Sequence, residues 1–213
     1  MESSILSIGS ARRQTTGAPE AGAMEEFVVL VDDQDRELGI EEKVQAHVHG
    51  RLHRAFSVFV LGTDRRLLLQ RRAATKYHSP GRWSNTCCGH PRPGETIPAG
   101  AHRRLREEMG FDCELHRAFS FTYRADLGNG LWEHELDHVM VGRCEAQPNP
   151  DPVEVGEFRW AHVAALQSDL TARPECYTVW LGIALDQLAA RGIIDLVFTD
   201  DIPMHGRDSS LIR

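Results

Sequence analysis

The chain has 213 residues, 41% of them hydrophobic and 26% charged, enough for one well-buried domain and short for two. Its 31 acidic against 24 basic residues leave a net charge of −7, which excludes a general nucleic-acid binder, because phosphate affinity needs clustered Lys and Arg. No apolar run approaches the roughly 20 residues of a membrane-spanning helix and no signal-peptide pattern is visible, so no membrane partner and a cytoplasmic location are expected.

Residues 1–24 are rich in Ser, Ala, Gly and Thr without a period and read as a disordered lead, residues 25–198 as the single domain, and 199–213 as a loose polar tail. Residues 26–31 and 37–40 are apolar runs around the turn 32–36, a hairpin pattern, and 43–49 leads on toward the next strand. Residues 51–62 alternate and then become wholly apolar, as a strand entering a buried sheet does, and 67–72 returns. Residues 73–84, with Pro80-Gly81, read as a loop. The amphipathic run 98–109 ends at Gly110 and predicts a helix. Strands follow over 113–125, 131–144 and 156–161, the first two joined by a turn at Leu127-Gly128-Asn129-Gly130. Helices are expected over 163–170 and 175–190, the second with Val179, Ile183, Asp186 and Ala190 on one face. This mixture predicts an α+β protein, an α/β/α sandwich around a mixed sheet.

The segment from Tyr77 to Phe111 is the densest in reactive side chains, with a Cys pair, a His, a Gly/Pro-rich loop and the charged helix. Cys87 and Cys88 precede Gly89 on a strand and therefore face opposite ways, so only one can face a pocket. The five cysteines (87, 88, 113, 144 and 176) show no C-x-x-C spacing, which argues against a disulfide framework or a zinc ribbon. Of eleven histidines, His47, His49, His53, His78 and His90 fall within 44 residues. In WEHELDH, Glu133, Glu135 and Asp137 share one strand face, with His134, Leu136 and His138 on the other. That row is either a solvated face or a charge cluster held by something positive. With His47, His53 and His90, two carboxylates of this row make a mixed N/O set suited to Mn²⁺, Fe²⁺ or Zn²⁺, and His49 competes with His47 for membership.

The segment resembles the Nudix box at Gly89, Glu95, Arg103, Leu105, Glu107, Glu108, Gly110 and Phe111, with Arg104 standing where the box has its first helical Glu. KYHSPGRWSNTCCGHPRPGE, together with LHRAFSVFV and WEHELDHV, resembles type I isopentenyl-diphosphate isomerase, a Nudix relative that moves a double bond instead of cleaving a phosphate. The resemblance spans about residues 25–185 and implies a Nudix-type sandwich, a homoallylic or allylic diphosphate as substrate, and a monomer or weak homodimer. It implies a tightly held Mn²⁺ or Zn²⁺ on His47, His53, His90, Glu133 and Glu135. It also implies Mg²⁺, bound with the diphosphate, on Glu108 and the Cys88 carbonyl. Catalytic roles would fall to Cys88, Glu135, Tyr123 and Trp180, and diphosphate binding to Lys43, Arg72, Lys76 and Arg104. Nearby cations are expected to favour a low-pKa Cys88 thiolate, while Cys87 reads as a buried inert thiol. For Trp180, core packing is the alternative. For the whole chain, the alternatives are a Nudix hydrolase of a nucleoside diphosphate and a catalytically silent metal-binding module.

Overall fold

A computed structural model describes residues 26–199 apart from Ala146, so the expected lead and, from residue 200, the expected tail lie outside the described residues. Strands β1 (Phe27–Val31) and β2 (Glu37–Glu42) form the expected antiparallel hairpin. The Asp32 carboxylate accepts from the backbone N–H groups of Gln34 and Arg36 and closes its turn. Residues Lys43–His49, expected only as a lead into the next strand, form helix α1. Glu42 caps its start through both carboxylate oxygens, and Gly50, in the left-handed region, ends it.

Next come β3 (His53–Leu61), β4 (Arg66–Arg72), the short β5 (Trp83–Ser84) and β6 (Cys87–Gly89), and helix α2 (Ile97–Met109). The long hairpin of β7 (Leu115–Gly128) and β8 (Leu131–Arg143) turns at Asn129 and Gly130, both with positive φ. Strand β9 (Val155–His162) and helices α3 (Val163–Ala172), α4 (Val179–Ala190) and α5 (Ile193–Leu196) complete the described chain. Strand β3 lies at the centre of one mixed sheet, parallel to β8 on one side and antiparallel to β1, β6 and β4 along the other.

Alternation along the strands separates two cores. Phe56, Val58, Val60, Leu68, Met140 and Cys87 pack against Ala101, Leu105 and Met109 of α2. Phe59, Leu61, Leu69, Val139 and Val141 pack against Leu166 of α3 and Leu181, Ala184, Leu185 and Leu188 of α4. The expected α/β/α sandwich is therefore observed. No helix among the described residues is long and apolar enough to cross a membrane.

Helix α4 departs from expectation twice. It starts at Val179, not at 175, because Pro174–Cys176 makes one tight 3₁₀ turn and Tyr177 is drawn to the sheet, where Thr178 N–H donates to the Trp83 carbonyl. Its buried face is Trp180, Leu181, Ala184, Leu185 and Leu188, while Val179 and Ala190 of the expected stripe are exposed. Nearly every position in VWLGIALDQLAA is apolar, so periodicity alone does not select the face.

Gly110 ends α2 at φ 72°, and a Cβ there would lie 2.2 Å from the Asn149 carbonyl oxygen. Gly192 has a similar φ of 65° with nothing within 4 Å of its would-be Cβ. Gly192→Ala therefore incurs only backbone strain, about 1–2 kcal/mol. Gly110→Ala must also displace the backbone at Asn149. Thermal melts should show a drop at least twice as large for Gly110→Ala, and equal drops would contradict this packing.

Candidate active site

The site is built on the sheet face turned toward α4. On β3, His53, Ala55 and Ser57 point to this face. Beside them in register, β8 places Glu135 opposite His53 and Asp137 opposite Ala55, and β6 places Cys88 opposite Ser57. From β7, Tyr123 stands opposite Glu135. Cys88 and Glu135 thus share one face, while Cys87 turns into the α2 core as expected.

The acidic row is not solvated. Glu133, Glu135 and Asp137 are 3%, 8% and 1% exposed, because β8 is flanked by β3 and β7 and covered by α1. Burying three like charges is costly unless positive or hydrogen-bonding groups meet them. The Glu135 carboxylate meets His90 Nε2 at 2.9 Å, His53 Nε2 at 3.6 Å and the Tyr123 hydroxyl, which donates at 2.7 Å. Burial alone would raise the Glu135 pKa, and the bonds to His53 and His90 outweigh it and hold the carboxyl well below its ordinary range. Glu133 faces His47 Nε2 at 3.2 Å and His78 Nε2 at 3.6 Å. Burial and the nearby Glu135 charge raise its pKa. Asp137 accepts from the Ser57 hydroxyl at 2.8 Å, and burial followed by the Glu135 charge raises its pKa too.

The imidazoles are oriented from behind. Nδ1 of His47 donates to the Lys43 carbonyl at 2.6 Å and Nδ1 of His53 to the Arg51 carbonyl at 2.8 Å, so both Nε2 lone pairs point at the carboxylates. This is the backing usual for metal-binding histidines. Burial pushes the His90 pKa down to about 3, leaving a neutral ring. His47 moves the other way: burial opposes a charge, yet Glu133 more than offsets it, so positive charge is favoured in the gap between them.

His47, His53, His90 and Glu135 each bring one ligand atom to within 4.8 Å of the others, and His47 and Glu133 do so with His78. Among the described residues, His47 Nε2 and Glu133 Oε2 are buried without a hydrogen-bond partner. Donor separations of 2.9–3.6 Å match the roughly 3 Å edges of a shell with bonds near 2.1 Å. The residues therefore fit a divalent metal. His49 does not belong to this group; its side chain is 53% exposed and pairs with Glu41.

The α2 end of the site is held by charge. Arg103 grips Glu95 with two bonds of 2.8 Å and also reaches the His90 carbonyl, which fixes the loop that carries His90. The Glu108 carboxylate accepts from Gln70 at 2.7 Å and from Arg104, whose guanidinium also bonds Glu107 and reaches Glu154. Lys76 pairs with Glu154 and Lys43 with Glu26. Arg72 donates to the His78 carbonyl at 3.2 Å, lies over the Trp180 ring and keeps a buried Nε without a partner among the described residues. Trp180 is buried and donates its indole N–H to Ser84 at 3.0 Å. The Cys88 thiol departs from expectation: burial pushes its pKa up to about 12, although Arg72 pulls the other way.

Residues 51–181 match the NUDIX domain family. Isopentenyl-diphosphate Delta-isomerases 2 and 1 of Aromatoleum aromaticum are each 52% identical to this chain over 78% of its length, covering 87% and 94% of their own. The isopentenyl-diphosphate Delta-isomerase of Burkholderia multivorans is 51% identical over 77% of this chain and 93% of its own. The chain belongs to the isopentenyl-diphosphate Delta-isomerase family. Its Nudix fold is shared with a Deinococcus radiodurans protein, DR0079, at TM-score 0.64 and 20% identity over 76% of this chain and 98% of that one. A MutT protein of Methanosarcina mazei aligns at TM-score 0.55 and 15% identity over 66% of this chain and 95% of that one.

Within this isomerase-family site, His78, Gln70, Asp137 and Glu154 were missed as site residues by sequence reasoning. Of these, His78 carried a signal in the local density of histidines and Asp137 in the alternation of WEHELDH, while Gln70 and Glu154 carried none.

The Glu95–Arg103 clamp makes a pH prediction. The hydrogen bonds from Arg103 hold the Glu95 pKa below its ordinary value, so their stabilisation is present above the unfolded carboxyl pKa of about 4.3 and is lost as pH falls through the lower folded value. Glu95→Gln should melt below the parent at pH 7, and the gap should narrow as pH is lowered toward 3. A gap that is constant or widens with acid contradicts the clamp.

Proposed function

We propose that this chain converts isopentenyl diphosphate to dimethylallyl diphosphate, the reaction named for its relatives. The observation that carries the reading is the placement of Glu135, tied to His53, His90 and Tyr123, on the sheet face that also bears Cys88. The double bond moves by one position when a proton adds to the terminal methylene carbon and another leaves the carbon on the far side of the substituted centre. Atoms and charge balance without an oxidant or reductant.

An alkene is a poor base, so the acid must be strong, dry and well placed. His47, His53, His90, Glu133 and Glu135 would hold a divalent ion, Mn²⁺ or Zn²⁺ by the chemistry of the donors. When bound, such an ion adds positive charge that strengthens a carboxylic acid beside it. Glu135 rests ionised through its bonds to His53 and His90, so the proton it delivers has to reach it first, relayed by the Tyr123 hydroxyl that donates to it at 2.7 Å. Cys88 exchanges the other proton across the substrate. Burial keeps its resting thiol neutral, so the positive charge of Arg72 and of the bound complex has to favour the thiolate during turnover. Trp180 offers an aromatic wall to the tertiary cation, an interaction of about 0.5–2 kcal/mol. Arg72, with Lys43, Lys76 and Arg104, supplies charge for the diphosphate, and Glu108 with the Cys88 carbonyl would hold Mg²⁺. Because Arg104, Lys76 and Lys43 already pair with carboxylates, Arg72 is the cation best placed to receive a phosphate oxygen directly. The enzyme works as a cytoplasmic protein without nucleic-acid or membrane partners, as a monomer or weak homodimer.

Hydrolysis of a nucleoside diphosphate is the less favoured reading, because Arg104 replaces a helical carboxylate and neutralises Glu108. Purified protein with Mg²⁺ should turn isopentenyl diphosphate into dimethylallyl diphosphate and release no phosphate from nucleoside diphosphates. Cys88→Ala and Glu135→Gln should each lose at least about 10²–10⁴-fold in kcat while still folding. Full activity in either variant would overturn the role given to that residue, and absence of turnover in the metal-loaded parent would favour the silent module.

A further inference from the structure

His78 sits in the loop between β4 and β5 and is buried within the site. Its ring stacks on His47 with centroids 5.7 Å apart and meets the edge of Trp180 at 6.0 Å. Its Nε2 lies 3.6 Å from Glu133 Oε1 and 3.5 Å from Arg72 Nη2. A guanidinium only donates, so the approach of Arg72 assigns a lone pair to Nε2 facing the carboxylate oxygen, while Nδ1 is buried without a hydrogen-bond partner among the described residues. His47 Nε2 likewise faces the other oxygen of Glu133, at 3.2 Å, with its Nδ1 bonded to the Lys43 carbonyl, a backing that His78 lacks.

The ligand atoms fall into two groups, His47–His53–His90–Glu135 and His47–His78–Glu133, which share His47. Two ions cannot share it. Nδ1 of His47 is committed to the Lys43 carbonyl, so Nε2 is its only available ligand atom. One octahedral ion takes six donors, and bringing these six side chains into one shell requires His78 and Glu133 to close toward His53, His90 and Glu135, because the six ligand atoms do not all lie within 4.8 Å of one another.

We propose that His78 is a ligand of the divalent ion at this site, in addition to His47, His53, His90, Glu133 and Glu135. This rests on the reading of those five as an ion-binding set. Ligation by His78 Nε2 takes that lone pair away from Arg72, so ion binding also frees a guanidinium donor beside Trp180. Four imidazoles among six donors favour a borderline transition ion over Mg²⁺.

The test uses the full chain stripped of metal and titrated with Co²⁺, whose visible absorption strengthens when its coordination number drops. His78→Ala and the bulkier His78→Gln should each bind Co²⁺ about 10-fold or more weakly than the parent, with a stronger visible band. His49→Ala, at an exposed histidine, should match the parent in both measurements. Melting of the metal-free proteins checks folding, and if His78→Ala fails to fold, His78→Gln carries the comparison. Affinity within twofold of the parent and an unchanged spectrum would overturn the role of His78 and leave the five-residue reading standing. A parent chain that takes up no Co²⁺ would overturn both.

Discussion

Three carboxylates on one face of β8 are buried side by side, and the rest of the site is arranged around that electrostatic problem. Strand alternation forces Glu133, Glu135 and Asp137 to the same side, and the pairing of β8 between β3 and β7 removes them from water. A row of this kind is tolerated only where hydrogen bonds and positive charge meet it. Ser57 and Tyr123 supply hydrogen bonds, and four imidazoles aim nitrogen atoms at the two glutamates. The histidines come from α1, the start of β3, the β4–β5 loop and the residue after β6, so four separate elements have to fold together to assemble the site.

The fold and the chemistry are coupled through β3. Its side chains alternate between the α2 core and the site, and its parallel partner β8 and antiparallel partner β6 set the spacing between Glu135 and Cys88. Helix α2 stands on the opposite face, yet it reaches the site through Arg103, which holds Glu95 and the carbonyl of His90. Arg104 neutralises Glu108 from the same helix, so the charge balance there differs from that of a cluster of free carboxylates. In a family whose named relatives are isomerases, the buried carboxylates that meet the imidazoles stand on the sheet, away from the helix of the Nudix box.

Much of this was legible in the residue order. The Asn129-Gly130 turn, the glycine stop at Gly110 and the alternation in WEHELDH each follow from local stereochemistry, and each was found where it was expected. Burial of the acidic row was not legible, because alternation shows that three carboxylates share a face but not what covers it. Helix α1 was missed because its seven residues are too few to display a period and its cap is Glu42 instead of Ser, Thr, Asp or Asn. The face of α4 was misread because an almost wholly apolar helix carries no stripe. The Cys88 thiol was expected to ionise because cations lie nearby in sequence, whereas in the fold burial dominates. His78 shows the same limit: its loop has no period, and only packing against His47 and Trp180 brings it to the other imidazoles.

The central claim is that this carboxylate row is stable because a cation sits among the imidazoles, and metal content measured together with thermal stability addresses it most directly. Purified protein should carry one transition-metal ion per chain. Removing that ion should lower the melting temperature, and restoring it at a concentration about 1,000 times its Kd should return roughly 4 kcal/mol of stability. A chain that contains no such ion, and melts at the same temperature with and without added Mn²⁺ or Zn²⁺, would contradict the account.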